Sequence, residues 1–549
     1  MAEIINENIR KLCQKLKPIL GAQIENLYSA YLAEDKQGKE QIQQYIQSLS
    51  AEYLPQNLDS DNNILIPPSK EKAFGEYTLG NVSYLEEDMY EFGLKEKEWI
   101  QHIAVLGRTG AGKTNTGFMI LEQLKRHNKP FLVFDWKRNY RDLTAGRDFK
   151  DVEIYTIGRN ITPLAFNPLI PPQGTDPRTW LKKLNEVIAH SYCLGNGVLY
   201  LLQRAVDSVY QKAGVYDGTV EKWPTFKDVL LEAQGMDTRG RESGWLSSTL
   251  RALSSLCFGD MDKLLNTSSN QSLDHILNTS VILELDALTQ SDKVFFIQSL
   301  LLWTHHKRMT ESTREQFKHA ILIEEAHHIL SDQRRSLVGG QSVMEIIFRE
   351  IREFGESLIL LDQHPSKINL SALGNTYCTI CMNLKHKTDI NAVAQCLLLD
   401  TERQILGQLD TGKAVVKLQG RIANAFVVNI PEFHIEKGRI TDKLIQEQMA
   451  GITEPYESED FRLTGEDRQE ILKSEKITPE QSALLRDIKE NPQSGIAARY
   501  KRLGISVRQG QKIKEKLLSD KLITESLKTT GTGRQRSIEL TDEGENILL

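Results

Sequence analysis

Long apolar runs are missing from this sequence of 549 residues. Its longest apolar stretch, residues 294–303, is interrupted by Gln298 and Ser299 and falls short of the roughly 18 residues that a membrane-spanning helix needs. We therefore expect a buried helix there and no membrane partner. The first residues, MAEIINENIRKL, lack the basic start and apolar middle of a secretory signal, so we expect a cytoplasmic protein.

Cysteine is also scarce, with six residues in the whole chain. Such a low number does not support a disulfide framework and fits a reducing compartment. Cys378 and Cys381 form a CxxC pair inside the apolar segment TYCTICMNL, which predicts a buried strand with no second ligand pair for a metal.

An excess of positive charge is missing too, because the formal net charge is −6. This excludes a protein coated in positive potential, although a pore or one small domain can still carry a basic contact to nucleic acid. The proportions of hydrophobic residues (40%) and charged residues (26%) are those of a soluble globular protein, and the length predicts several domains.

The pattern of apolar residues divides the chain into parts. Apolar residues at helical spacing dominate the start, whereas strand-like runs alternate with helical stretches from residue 103 to residue 431. This alternation predicts an α/β fold with a mainly parallel sheet covered by helices. The predicted parts are a helical N-terminal segment at 1–62, a short β-rich segment at 63–95, a core at 96–435 with a helical insertion at about 172–270, a linker at 436–477 and a C-terminal domain at 478–549.

A phosphate-binding loop is the clearest motif. In HIAVLGRTGAGKTN a strand is followed by GxxxxGK[ST], which ends at Lys113 and Thr114, and a helix comes next. We expect Lys113 to reach the β- and γ-phosphates of ATP and the Thr114 hydroxyl to bind Mg²⁺. An alternative interpretation is a glycine-rich turn with an exposed lysine. The other predicted nucleotide contacts are Gly107, Thr109, Gly110, Ala111, Gly112 and Asn115.

Two adjacent acids follow a second buried strand. Residues 320–323 are apolar, and Glu324 and Glu325 come directly after them. We expect Glu324 to serve the magnesium ion and Glu325 to act as general base toward the attacking water. The pair could instead form a solvated turn. Another strand, VILELDAL, carries Glu284 and Asp286 but has no adjacent acid pair.

A third polar strand end lies further along the chain. The apolar run 358–361 leads to Gln363, which could sense the γ-phosphate or orient water if this strand lies beside the catalytic one. Arg349 and Arg352 precede the run on a predicted helix. In a ring, such an arginine could enter the neighbouring subunit's site as a finger, or both could be ordinary surface residues.

These segments together resemble the HerA and FtsK group of P-loop motors, and within it the HerA-like ATPases. The resemblance covers about residues 96–432. Besides the loop, the acid pair and the segment REIREFGESLILLDQHPSKI, it includes LVFDWKRNY with Asp135, ITPLAFNPL with Asn167 and Pro168, and the hairpin LDTGKAVVKLQGRIANAFVVNIP.

The resemblance implies a RecA-like P-loop core that uses ATP and Mg²⁺ and forms a homohexameric ring around double-stranded DNA. It also implies a nuclease partner. Two departures concern that partner: the N-terminal β-barrel typical of the family is not evident, and the C-terminal domain is not a general feature of the group. The chain is therefore also similar to diverged motors of antiviral defence, whose partner is a nuclease or a NAD-consuming effector.

The C-terminal domain resembles a winged helix. Pro479 opens a helix, Ser506 and Gln509 form a capping box for a third helix, and a hairpin follows. In the third helix we expect Val507 and Leu517 to share a face with Ile513. From residue 495 to residue 536 there are eleven basic and three acidic residues, a balance of +8. The expected DNA contacts are Arg508, Lys512 and Lys516 on the recognition helix and Arg534 and Arg536 on the wing. Docking of a protein is the alternative.

A basic, glycine-containing loop follows the acid pair. Arg334 and Arg335 in SDQRRSLVGGQS are candidate pore residues that grip DNA phosphates, or they lie on an ordinary surface loop. The basic stretch 137–147 is a further candidate for the DNA path. The sequence thus predicts a DNA translocase with helicase-like character. The alternative is a scaffold protein that is controlled by nucleotide and DNA binding. It would assemble or activate an effector enzyme without productive translocation.

Overall fold

The computed structural model describes residues 2–54, 64–270, 273–331, 342–452, 479–492, 494–530, 533–541 and 545. The chain forms two compact units, Met1–Tyr456 and Glu457–Leu549, and each is described by itself. None of the helices in these ranges is both long enough and apolar enough to cross a membrane.

Among the described residues of the first unit, eleven strands form one large sheet. They are β1 (Tyr77–Tyr84), β2 (Glu87–Leu94), β3 (Ile103–Leu106), β4 (Phe131–Asp135), β5 (Glu153–Thr156), β6 (Val281–Glu284), β7 (His319–Glu324), β8 (Glu356–Asp362), β9 (Cys378–Cys381), β10 (Lys413–Leu418) and β11 (Phe426–Asn429). Their order across the sheet is β2-β1-β11-β10-β9-β3-β8-β7-β4-β6-β5.

The centre of this sheet is parallel, as the sequence predicts. The strands from β9 through β3, β8, β7, β4 and β6 to β5 pair in parallel, whereas β10, β11, β1 and β2 add antiparallel pairs at one side. β3, β4, β6, β7 and β8 are buried along their whole length, which requires cover on both faces and explains their runs of Val, Ile and Leu. The carboxyl ends of these strands share one edge.

Helices surround the sheet. Those of the first unit are α1 (Ala2–Leu20), α2 (Ala22–Ala33), α3 (Lys36–Tyr53), α4 (Lys70–Ala73), α5 (Lys113–Arg126), α6 (Pro177–Ser191), α7 (Asn196–Lys212), α8 (Phe226–Gln234), α9 (Arg241–Leu256), α10 (Gly259–Leu265), α11 (Leu273–Ile276), α12 (Gln290–Met309), α13 (Val343–Glu350), α14 (Leu370–Gly374), α15 (Lys387–Leu397) and α16 (Asp442–Gln448). The predicted buried helix at 294–303 lies within α12, and the predicted insertion contains α6–α10.

The N-terminal helices α1–α3 enclose a small core of their own. Ile9, Leu16, Ile24 and Ile46 are buried in it, and Leu85 from the turn between β1 and β2 packs against it. The helical pattern read from residues 1–62 is therefore present in the described part of that segment.

Two predicted boundaries differ from the structure. The segment 63–95 is not set apart from the core, because β1 pairs with β11 in the main sheet. Residues 436–452, which we assigned to the linker, pack on the core through Ile445 and Met449. The sequence pattern did not predict this contact because α16 is short and mostly polar. Residues 453–477 of the predicted linker lie outside the described part of the chain.

In the second unit, the described residues form three helices and a hairpin. These are α17 (Pro479–Glu490), α18 (Ile496–Arg502), α19 (Val507–Ser519), β12 (Ile523–Thr530) and β13 (Gly533–Leu540). Leu484, Ile488, Tyr500 and Leu517 are buried in its core.

The start of α19 shows one success and one error of the sequence interpretation. The predicted capping box forms, since the backbone N–H of Gln509 donates to Ser506 Oγ at 3.3 Å and that of Ser506 donates to Gln509 Oε1 at 3.4 Å. Val507, however, is 71% exposed. Its predicted common face with Ile513 was wrong, because six residues at about 100° each place the two side chains about 120° apart.

Candidate active site

The loop between β3 and α5 is shaped to hold an anion. Gly110 and Gly112 have φ angles of 78° and 112°, a region that residues with side chains rarely adopt. A methyl group on Gly107 would lie 2.9 Å from the Met382 side chain. The loop leads into the start of α5 at Lys113, where free backbone N–H groups favour phosphate.

The side chain of Lys113 folds back into this loop. Its ammonium donates to the carbonyl oxygens of Gly107 at 2.8 Å and Arg108 at 3.1 Å. Burial lowers the pKa of Lys113, while the carboxylates of Glu325 and Asp362 oppose that shift. The lysine is therefore held beside the acids of the neighbouring strand ends.

The predicted polar strand ends meet at one edge of the sheet. β8 lies between β3 and β7, which confirms that the strand before Gln363 is adjacent to the strand before Glu324 and Glu325. β4 follows on the other side of β7 and ends at Asp135. The phosphate loop and three polar strand ends thus stand side by side.

Four side chains form a continuous hydrogen-bonded chain along this edge. The Thr109 hydroxyl donates to Gln363 Oε1 at 2.8 Å. Gln363 Nε2 donates to both carboxylate oxygens of Glu325, at 2.9 and 3.0 Å. Lys137 Nζ donates to Glu325 Oε1 at 2.7 Å. Gln363 therefore connects the phosphate loop to Glu325.

The backbone at Glu325 is unusual for a residue with a side chain. Its φ of 51° lies in the left-handed region, which costs on the order of 1–3 kcal/mol. Asp362 holds the turn that follows: one oxygen accepts the backbone N–H of His327 at 2.7 Å, and the other accepts that of His364 at 2.6 Å. This turn orients Glu325 toward Gln363.

Glu324 is buried near Asp135, at the ends of β7 and β4. Burial raises the pKa of Glu324 to about 7, and the charge of Asp135 adds to this shift. Burial likewise raises the pKa of Asp135 to about 6. Carboxylate and hydroxyl oxygens are the ligands that Mg²⁺ prefers, so Glu324 and the Thr114 hydroxyl at the start of α5 fit the predicted magnesium site.

A cleft of about 1120 Å³ opens beside the start of α5. Thr114 and Arg138 lie on its wall together with residues 432–438. Asn115, a predicted nucleotide contact, holds this wall in place: its amide donates to the Pro431 carbonyl at 2.8 Å, and its side-chain oxygen accepts the N–H of Phe433 at 2.7 Å. The cleft is large enough for a nucleoside.

Arg349 and Arg352 lie at the opposite edge of the sheet. Both are exposed, at the end of α13 and in the turn before β8 begins. The seven residues of β8 span about 20 Å at roughly 3.3 Å per residue. Neither arginine can reach the phosphate loop of its own chain.

A buried charge cluster fixes the start of β8 next to these arginines. Glu356 accepts from Arg308 Nε at 2.6 Å and lies 2.7 Å from His319 Nδ1. Burial alone would raise the pKa of Glu356, but His319 and Arg308 lower it to about 2. The carboxylate therefore stays charged and anchors this edge.

The predicted DNA contacts fall in two parts of the chain. Arg334 and Arg335 fall outside the described residues. The exposed side chains of Arg508, Lys512 and Lys516 follow one another at four-residue spacing on α19. Two further predicted contacts lie on β13, namely Arg534 and Arg536.

The basic stretch 137–147 does not form a free basic surface. Arg141 is buried, and its guanidinium pairs with Glu284 at 2.6 Å and with Asp442 at 2.8 Å. Lys137 pairs with Glu325. Arg141 and Lys137 thus compensate acids that are distant in sequence, and the role of this stretch in the DNA path stays a prediction.

Sequence reasoning missed two groups of the site, Lys137 and Asp362. Both stand at or just after the carboxyl end of a buried parallel strand, and that position is the signal that could have found them. Their partners, Glu325 and His327, come from another strand end, which only the strand order reveals.

Comparison with known proteins agrees with this geometry. Residues 78–191 match the family model described as the central domain of helicase HerA. A DNA double-strand break repair helicase HerA of Sulfurisphaera tokodaii is 23% identical over 412 residues, which cover 72% of this chain and 77% of the relative. The chain is similar to P-loop ATPases of the HerA/FtsK type.

Other relatives match a smaller part of the chain or have lower sequence identity. A probable helicase of Methanocaldococcus jannaschii is 22% identical over 58% of this chain, and the match covers 60% of that relative's length. The solved structure of VirB4 of Thermoanaerobacter pseudethanolicus shares the fold, with a TM-score of 0.51 and 14% identity over 65% of this chain and 96% of that one.

Proposed function

We propose that this HerA/FtsK-type ATPase is a motor that hydrolyses ATP to move along double-stranded DNA as a homohexameric ring. The observation that carries the proposal is the hydrogen-bonded chain from Thr109 through Gln363 to Glu325. It joins the phosphate loop to the predicted base, as a motor needs if the nucleotide state is to be sensed and used.

Each group at the strand ends has one role in this proposal. Lys113 binds the β- and γ-phosphates, and Gln363 orients the attacking water toward Glu325, which accepts its proton. Glu324 and Thr114 hold Mg²⁺, which neutralises charge on the phosphates when it is bound. Because Glu325 is nearly enclosed and hydrogen-bonded on both oxygens, its orientation is set before substrate binds.

DNA as substrate is supported by the relative from Sulfurisphaera tokodaii, which is named a DNA double-strand break repair helicase. We assign the C-terminal unit as a winged helix that loads DNA. Its basic character is only partly available for DNA, because Arg499 pairs with Asp487 at 3.0 Å and Lys514 pairs with Glu525 at 2.7 Å. The exposed Arg508, Lys512 and Lys516 are the candidates for phosphate contacts, with Arg334 and Arg335 proposed for the pore.

The proposal of a ring is supported by the position of Arg349 and Arg352 at the edge of the sheet opposite the phosphate loop. Since the length of β8, about 20 Å, separates Arg349 and Arg352 from the phosphate-loop edge of their own chain, a role in catalysis requires a neighbouring subunit. The proposed partner of the ring is a nuclease or a NAD-consuming effector.

Double-stranded DNA should stimulate ATP hydrolysis by the full-length chain, and Arg508→Ala with Lys512→Ala should reduce that stimulation. The double variant removes up to two phosphate contacts, so the slope of log affinity against log salt should become shallower by about 0.9 per contact. Glu515→Gln with Gln511→Ala, two exposed positions on the same helix, is the matched control. The measurements are DNA-stimulated ATPase activity and DNA affinity against salt.

Two results would contradict parts of this account. If DNA binds but leaves ATP hydrolysis of the wild-type chain unchanged, the scaffold function is favoured over the motor. If the double variant keeps the wild-type salt slope, α19 does not contact DNA and the C-terminal unit docks a protein instead.

A further inference from the structure

Lys137 lies beside the proposed general base. It is the second residue after β4, and its ammonium is 2.7 Å from Glu325 Oε1. The lysine side chain is 55% exposed, whereas the glutamate side chain is 11% exposed. The pair thus spans the mouth of the site, with the carboxylate inside and the ammonium at the solvent boundary.

The turn that carries Lys137 is held by Asp135. The Asp135 carboxylate accepts the backbone N–H groups of Lys137 at 3.1 Å, Asn139 at 3.0 Å and Tyr140 at 2.9 Å. Trp136 is buried within the same turn. Because the backbone is fixed, the flexible four-carbon stem is the part of Lys137 that can move its charge between neighbouring acceptors.

Hydrolysis of ATP needs positive charge next to the γ-phosphate. Lys113 supplies one ammonium from the phosphate loop. Arg349 and Arg352 lie at the far edge of the same chain. The attacking water must lie between Glu325 and the γ-phosphorus, so an ammonium in direct contact with Glu325 is within a side-chain rotation of the γ-phosphate oxygens.

We propose that Lys137 is a second catalytic lysine, which donates to a γ-phosphate oxygen while Glu325 removes a proton from the attacking water. This inference rests on the proposed ATPase function. The water oxygen bonds to the γ-phosphorus, the bond from that phosphorus to the β,γ-bridging oxygen breaks, and ADP leaves with the electron pair. Glu325 takes the water proton, and Lys137 keeps its own.

The pairing with Glu325 gives Lys137 a positioning role as well. Lys137 and Gln363 approach the carboxylate of Glu325 from two sides and orient it. As negative charge builds on the γ-phosphate, the ammonium can share its donors between that charge and the carboxylate. Removing the ammonium should therefore affect the chemical step more than ground-state binding of ATP.

Lys137→Met keeps the length of the side chain and removes its charge, so it tests this role. Loss of one preorganised donor at the developing charge should lower kcat about 10²- to 10³-fold. KM for ATP and affinity for ADP should change little, and Lys137→Arg should recover part of the lost rate. Lys150→Met, at an exposed lysine of the same unit, is the matched control and should behave as wild type.

A binding measurement distinguishes a catalytic role of Lys137 from a purely structural one. ADP with aluminium fluoride imitates the phosphoryl group in transfer, so Lys137→Met should weaken its binding by about tenfold or more while ADP alone binds as before. Equal loss for both ligands, or a kcat equal to that of wild type, would overturn the role of Lys137 and leave the ATPase function intact. Absence of ATP hydrolysis by the wild-type chain would reject the proposed function itself, and this inference with it.

Discussion

Glu325→Gln should bind ATP normally and yet hydrolyse it about 10²- to 10⁴-fold more slowly than wild type, the range expected for loss of a general base. Glutamine has the same shape and can still accept the hydrogen bonds of Gln363 and Lys137, so the site should stay folded. What is lost is the oxygen that accepts the water proton. The measurements are steady-state ATP hydrolysis and the affinity of a fluorescent ATP analogue.

Two further variants serve as comparisons for Glu325→Gln. Lys113→Ala should also lose turnover but through weaker nucleotide binding, because it removes a direct phosphate contact. Glu447→Gln, at an exposed glutamate of α16, should leave both quantities at wild-type values. Turnover by Glu325→Gln comparable to wild type would reject the assignment of Glu325 as the base.

Arg349→Ala or Arg352→Ala should abolish most ATP turnover in a homogeneous ring, by about 10³- to 10⁵-fold for a true finger. The same variant mixed with Glu325→Gln subunits should regain activity. In mixed rings, a subunit with an intact base receives the arginine of a neighbour whose own base is missing. If either arginine acts in catalysis, it must act on a neighbouring subunit, because β8 separates both arginines from the phosphate loop of their own chain.

The measurement is ATP hydrolysis across mixing ratios. Arg251→Ala, at an exposed position of the helical insertion, is the control and should not respond to mixing. If no mixture exceeds the sum of its two components, these arginines do not act between subunits.

The main sheet could be predicted because its buried parallel strands are continuous apolar runs that end in distinctive residues. Lys113, Glu324 and Gln363 were recognisable for that reason, because each lies at the end of a buried strand or shortly after it. Their common edge followed from the parallel arrangement, and pairing of β7 with β8 confirmed the predicted adjacency.

Contacts between distant segments could not be predicted in the same way. Lys137 and Arg141 read as part of a basic surface, but they neutralise Glu325 and Glu284, which lie 188 and 143 residues further along the chain. The packing of α16 was missed because α16 joins the core through few apolar side chains. Each error concerns a partner that the local pattern does not contain.

Displacement of a third strand from double-stranded DNA tests the central claim most directly, since it requires a motor that uses ATP to move along the duplex. With ATP, the wild-type chain should displace the third strand at a rate that follows its DNA-stimulated hydrolysis, and Glu325→Gln should displace none. Rapid DNA-stimulated hydrolysis by the wild-type chain without displacement would contradict translocation and favour a DNA-gated scaffold.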